Sequence, residues 1–250
     1  MEDAVYLISD SIIAVAFLCI AARLLRRSFT THAAPERLLG ASFVLWGLSY
    51  PLYDVPYALA VDELVMAPLA YASRIAWQTG TVLMALFVKQ TFRKSDPRAT
   101  WVVVGVIALL AGGGMGSVWV GDYGGDFPLS NPWWWLEWAG SIIPMIWISM
   151  EASVYYLKVR QHRWLGEGDA LLLNRMGIWC FLGVSWVVVE CLSAAQYVIF
   201  ESTQRWLVSL SFALTVLELG GVVMIWLVFY PPAAYRRWIN RSAAPHARAA

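Results

Sequence analysis

Residues 176–200 read MGIWCFLGVSWVVVECLSAAQYVIF, an apolar stretch whose one charge is Glu190. A helix rising about 1.5 Å per residue crosses a hydrocarbon core about 30 Å thick with about 20 apolar residues, so this stretch is long enough to span a membrane. It is too long for an ordinary strand and lacks the period-two alternation of a transmembrane β-barrel. Working outward, six further runs share its character: 5–25, 38–60, 66–89, 100–120, 133–157 and 206–230. The pattern predicts an all-α membrane protein, a seven-transmembrane helix bundle over residues 1–235. A basic cytoplasmic tail, 236–250, is expected to be disordered. Run four, with Gly112, Gly113, Gly114 and Gly116 near its end, is the weakest helix former and is expected to fray early.

Composition points the same way. The 250 residues are 60% hydrophobic and 14% charged, with a mean hydropathy of +0.59. Soluble domains are about half apolar and about a quarter charged. A net charge of +1 leaves no basic domain for a nucleic acid. Met1-Glu2-Asp3 lacks the basic start of a cleavable signal peptide, so run one is read as a retained span. Cys19, Cys180 and Cys191 fall inside apolar runs and read as small packing residues, not a disulfide framework.

Orientation follows from the basic residues. Arg23, Arg26, Arg27 and Arg37 lie at the first connection, and Lys89, Arg93, Lys94 and Arg98 at the third. Lys158, Arg160, Arg163 and Arg175 flank the fifth, and Arg236, Arg237, Arg241 and Arg248 follow run seven. Of the 18 Lys and Arg, this leaves only Arg74 and Arg205 elsewhere. Glu2, Asp3, Asp62, Glu63, Asp122, Asp126 and Glu201 occupy the opposite connections. The asymmetry places the N-terminus outside and the C-terminus in the cytoplasm, in a multi-pass protein of a bacterial cytoplasmic (inner) membrane. Trp133, Trp134, Trp135, Trp138 and Trp206 at the outer side, with Trp101, Trp164 and Trp238 at the inner, read as interfacial anchors.

Charges inside a span are costly and face a protein interior or cavity. Counting the helical rise from each outer end, Asp10 lies roughly 8 Å in, Asp54 about 9 Å, Arg74 about 12 Å, Glu190 about 15 Å and Glu218 about 18 Å. Glu151 alone lies in the inner half. Helical spacing adds Trp46, Tyr50 and Tyr57 to the face of Asp54. Trp77, Gln78 and Thr81 join the face of Arg74, and Gly183, Trp186, Ser193 and Tyr197 that of Glu190. Ser211 and Thr215 accompany Glu218. An aromatic and hydroxyl lining with a few charges is the composition of an outward-facing small-molecule pocket. The expected ligand-binding set is Asp10, Asp54, Arg74, Trp77, Gln78, Glu190 and Glu218, with Arg74 holding an anionic group or acting as counter-ion. The bland alternative makes Arg74 a structural lock on one carboxylate.

Several chemistries find no support. His32, His162 and His246 all fall in cytoplasmic segments, away from the bundle interior that histidine-bound zinc or haem requires. No GxSxG or Walker-type motif occurs. No catalytic or metal-binding residue is assigned, and no enzyme is expected. Asn240-Arg241-Ser242 matches a glycosylation sequon on the cytoplasmic side.

Three resemblances bear on function. Run three, with Arg74, Trp77 and Thr81, resembles the Arg-and-Trp stripe of the microbial rhodopsin third helix. That family forms a retinal Schiff base on a lysine of its seventh helix. The lysines here are Lys89, Lys94 and Lys158, and run seven offers Glu218 instead, so no covalent retinal and no other cofactor is expected. The stretch from Arg37 to Arg93, about a quarter of the chain, carries Trp46-Gly47-Leu48-Ser49-Tyr50 and Arg74-Ile75-Ala76-Trp77. It resembles the seven-helix sensor regions that precede histidine kinases in bacteria. With no kinase after Ala250, that resemblance implies a separate cytoplasmic or membrane protein partner. Ser11-Ile12-Ile13 in run one matches Ser141-Ile142-Ile143 in run five, the basis of a parallel 3+1+3 repeat similar to small sugar transporters.

The leading expectation is therefore a membrane sensor or receptor-like protein binding a small ligand. The alternatives are a proton- or cation-coupled transporter with a relay through Glu218 and Glu151, and a structural subunit of a larger membrane complex.

Overall fold

A computed structural model describes residues 2–59, 61–120, 131–164, 170–199 and 204–243, excepting the side chains of 2–6, 9, 63, 162–164, 196–199, 204–212, 214 and 240–243. Eight α-helices and no strand occur among these residues: α1 (Glu2–Thr31), α2 (Ala34–Ala58), α3 (Glu63–Phe92), α4 (Pro97–Trp119), α5 (Pro132–Trp164), α6 (Ala170–Ile199), α7 (Gln204–Phe229) and α8 (Ala233–Ala243). The first seven coincide with the seven apolar runs.

Helix starts are written locally. Asp62 caps α3 by accepting from the Leu64 N–H at 2.8 Å, and Asp96 caps α4 through the Arg98 N–H at 2.9 Å. Asn131 does the same for α5, taking the Trp133 N–H at 3.0 Å. Pro35, Pro97 and Pro132 sit in first turns, where their missing N–H costs nothing. The turn from α1 to α2 passes through His32 at φ 52°, a left-handed conformation. There Arg27 pairs with Glu36 at 2.9 Å, and the Thr31 hydroxyl donates to the same carboxylate at 2.7 Å.

From α1 to α7 each helix packs on its neighbour in sequence, α5 also reaches α3, α8 packs on α6, and α7 closes the ring by packing on α1. The core between them is built on Phe17, Phe43, Trp46, Met84, Ile148 and Leu182. Phe17 and Phe43 stack with ring centroids 5.3 Å apart. The outer surface is apolar along its length: Ile12, Val15, Ile75, Val104, Met150, Val184 and Val223 are all exposed. Cys19 and Cys191 lie on that surface, so they are not the packing residues the sequence suggested; Cys180 is half-buried beside the Ser153 hydroxyl.

Three points correct the sequence reading. Among the described residues, three helices are long and apolar enough to cross a membrane: Pro97–Trp119, Pro132–Gln161 and Ala170–Ala195. A fourth is added if Thr215–Phe229 and Ala233–Ile239, bent by 80°, count as one span. Seven do not meet that test. In α2 and α3 the shortfall is compositional, because tyrosines, tryptophans, prolines, Asp54, Arg74 and Gln78 replace aliphatic residues; the outer turns of runs one and seven lie outside the described side chains. Second, α4 does not fray at its glycines. Gly113, Gly114 and Gly116 let α5 approach closely: a Cβ on Gly113 would meet the Glu137 Cγ at 2.6 Å, and one on Gly116 would overlap the Trp133 ring. Third, the segment expected to be a disordered tail from residue 236 forms α8 through Ala243. Residues 244–250 lie outside the described set.

Candidate functional site

The end of the bundle that carries the start of α5 holds the interior charges, in two groups. In the first, Arg74 on α3 meets Glu137 on α5. The Arg74 Nε donates to both carboxylate oxygens, at 2.8 and 3.0 Å, and Nη2 makes a further close contact with Oε2. Gln78, one turn along α3, gives its Nε2 to the other oxygen. The pair is largely shielded, its side chains 22% and 12% exposed. The anion that Arg74 was expected to hold is thus supplied by the chain itself. Sequence reading missed Glu137 because it sits four residues inside the tryptophan cluster and reads as interfacial. Its signal was the glycine row of run four, which leaves room for a residue of this size on the facing helix.

The second group surrounds Tyr50 on α2. Glu218 of α7, Asp10 of α1, Glu190 of α6 and Asp54 of α2 all lie within electrostatic range of its phenol. Asp10 acts in turn on Asp54 and Glu218, and Glu190 on Glu218. The four predicted acids thus all act on one phenol, while Arg74 and Gln78 engage Glu137. The Glu190 carboxylate accepts from the Trp186 Nε1 at 3.2 Å, and its backbone carbonyl accepts from the Trp138 Nε1 at 3.3 Å.

Beside the second group stands a layer of indoles. Trp186 stacks on Trp46 at 5.8 Å and on Trp77 at 6.0 Å, and Tyr50 meets Trp77 edge-on at 6.2 Å. Trp46 is fixed from behind, donating to the Trp77 carbonyl and the Thr81 hydroxyl, both at 3.3 Å. That contact requires Gly80, where a Cβ would come within 2.7 Å of the Trp46 ring.

Under this layer lies a cavity of about 50 Å³. Phe17, Phe43, Trp46, Trp179 and Trp186 form its aromatic walls, Met84, Met145, Ile148 and Leu182 its floor; Tyr50, Ser185 and Glu218 are its polar contributors. On the measure that one water needs about 10–15 Å³, it has room for about four water-sized groups. Arg74, Gln78, Asp10, Asp54, Glu190 and Trp77 do not line it; of the predicted binding set, Glu218 does.

Glu151, the candidate inner relay, lies near the opposite end of the bundle. Its Oε1 accepts from the Arg93 Nε at 2.7 Å and from the Trp147 Nε1 at 3.1 Å. Between Glu151 and the cavity stands Ile148, fully buried one turn earlier on α5.

No protein-family model, no curated protein and no solved structure matches the chain.

Proposed function

We propose that this chain is a multi-span, helical sensor or receptor-like protein of a bacterial cytoplasmic membrane, N-terminus outside, and that it binds a small organic cation in the aromatic cavity. Its apolar outer surface, its exposed terminal tryptophans (Trp119, Trp133 and Trp238) and the one-sided distribution of Lys and Arg support the membrane placement.

The observation that carries the ligand class is the commitment of Arg74 to Glu137. With Arg74 engaged by Glu137, the acids Asp10, Asp54, Glu190 and Glu218 lie within electrostatic range of Tyr50, whose ring lines the cavity together with the Glu218 side chain. Carboxylates above aromatic walls favour an alkylammonium: the ring faces attract the cation, worth about 0.5–2 kcal/mol each, and the carboxylates compensate its lost hydration. The cavity volume limits the ligand to about four or five heavy atoms.

The relay alternative draws less support. Ile148 and the cavity floor separate Glu218 from Glu151, and Arg93 already occupies Glu151. The likeness to sensor regions ahead of histidine kinases fits a receptor whose signal leaves through a cytoplasmic partner.

Titration of the purified full-length protein with tetramethylammonium, followed by calorimetry, tests the reading. Saturable binding is expected, weakened about tenfold or more in Glu218→Gln and about 2- to 30-fold in Trp186→Leu. Absence of saturable binding, or equal binding of tetramethylammonium and the neutral, similarly sized tert-butanol, overturns it.

A further inference from the structure

At the end of the bundle opposite the carboxylates, α7 stops at Phe229 and the chain turns by 80° into α8. Pro231 and Pro232 at the joint have no N–H to continue α7. The joint is also held in place, because the Arg23 guanidinium of α1 lies over the Tyr230 ring, 3.9 Å from its centroid. A helix leaving a span at nearly a right angle runs along the membrane surface.

The two sides of α8 differ. Tyr235 hydrogen-bonds Asn174 of α6, its ring oxygen 3.1 Å from Nδ2, and Ile239 is buried against the bundle at 6% exposure. Arg236 and Arg237 project outward, both exposed. Trp238, 62% exposed, stacks on Tyr235 at the boundary between the two sides. Beneath this boundary a groove of about 430 Å³ opens between α5, α6, α7 and α8. Its polar end is Asn174 and its apolar length is formed by Ile178, Phe181 and Met224, with Gly177 leaving the floor open. The Gly177 position would accept a Cβ, at 3.4 Å from Tyr156.

We infer that this groove is a lipid site for one anionic phospholipid of the adjacent leaflet: an acyl chain lies along Ile178, Phe181 and Met224, and the phosphate sits at the rim beside Asn174 under the positive field of Arg236 and Arg237. The charge complementarity selects the lipid. Each basic residue at an anionic membrane surface contributes several-fold in affinity, and the effect fades within a Debye length. Trp238 belongs at the headgroup level, where an indole has one apolar face and one wet edge.

This inference rests on the membrane-spanning part of the proposed function but not on the cation cavity. Native mass spectrometry of the full-length protein in mild detergent, with phosphatidylglycerol and phosphatidylcholine of identical chains, tests it. One phosphatidylglycerol is expected to be retained with about tenfold preference. The preference is expected to fall to within twofold in the Arg236→Gln/Arg237→Gln variant, and retention of both lipids is expected to drop in Gly177→Leu, which fills the groove. Equal retention of the two lipids, an unchanged preference in the double variant, or full competition by free glycerol phosphate overturns the site. Tetramethylammonium titration of the same variants separates the two readings: a failed lipid site leaves cation binding intact, and a failed cavity leaves the lipid preference intact.

Discussion

Arg74 on α3 and Glu137 on α5, 63 residues apart in sequence, face each other as a bidentate ion pair inside the bundle, with Gln78 completing the shell of the carboxylate. Both side chains are more than three-quarters shielded, so neither is solvated well enough to stand alone. Removing one partner of such a pair strands the other charge and costs about 3–5 kcal/mol, whereas replacing both by apolar residues of similar volume is close to neutral. Arg74→Met and Glu137→Leu are each expected to lower the thermal midpoint of the detergent-solubilised protein sharply, and the double variant to recover most of the loss. A double variant no more stable than the worse single one would show that the pair is not coupled in this way. Because neither residue lines the cavity, the double variant is also expected to keep its affinity for tetramethylammonium.

The contact between α4 and α5 predicts a second, position-specific sensitivity. A side chain at Gly116 would overlap the Trp133 ring, while nothing lies within 4 Å of a Cβ at Gly105 on the same helix. Gly116→Val therefore forces the helices apart, an overpacking cost of about 1–3 kcal/mol. Gly105→Ala has only the helix-propensity gain to express, about 0.5–1 kcal/mol of stabilisation. Thermal unfolding of both variants checks the contrast, and a well-tolerated valine at 116 would contradict the close approach.

These two cases mark what was legible in the sequence. The helices were, because long apolar runs bounded by polar clusters are a one-dimensional signal. That Asp10, Asp54, Glu190 and Glu218 act on one phenol fits their similar depth along α1, α2, α6 and α7, which spacing alone supplies. The partner of Arg74 was not legible, since choosing among five acids depends on which helix lies opposite, and α3 against α5 is set by packing and not by chain order. The glycines of α4 misled for the same reason: propensity scores them as weak, yet a facing Trp133 and Glu137 turn absent side chains into contact. In α8, counting Arg236, Arg237 and Arg241 suggested a solvated tail, whereas Tyr235 and Ile239, four apart, form the docking stripe.

The proposed orientation makes a third prediction. Trp119, 88% exposed, ends α4, and Arg98, also exposed, begins it. With Cys19, Cys180 and Cys191 replaced by Ala, a cysteine at 119 is expected to react with a membrane-impermeant maleimide in intact cells. A cysteine at 98 is expected to react only after the membrane is opened. The reverse pattern would invert the bundle, and equal labelling of both sites in intact cells would place α4 outside the bilayer.

Glu151 separates the receptor from the transporter. Its side chain is only 12% exposed, yet it is bound by the half-exposed Arg93 and by Trp147, neither of which lines the cavity. A carboxylate engaged in this way ties α3 to α5, as Arg74 and Glu137 do nearer the other end, and has no part in holding a ligand above Ile148. Glu151→Gln keeps the Trp147 hydrogen bond and loses only the charge presented to Arg93. Tetramethylammonium affinity is therefore expected to stay within about twofold of the native value, since a change of 1.4 kcal/mol would be needed for tenfold. A transport cycle passing through Glu218 and Glu151 demands the opposite in reconstituted vesicles, where the same variant would abolish uptake of labelled cation or an accompanying pH change. Uptake by the native protein that disappears in Glu151→Gln would replace the receptor with a carrier, and the Arg93 ion pair would then be its closed inner gate.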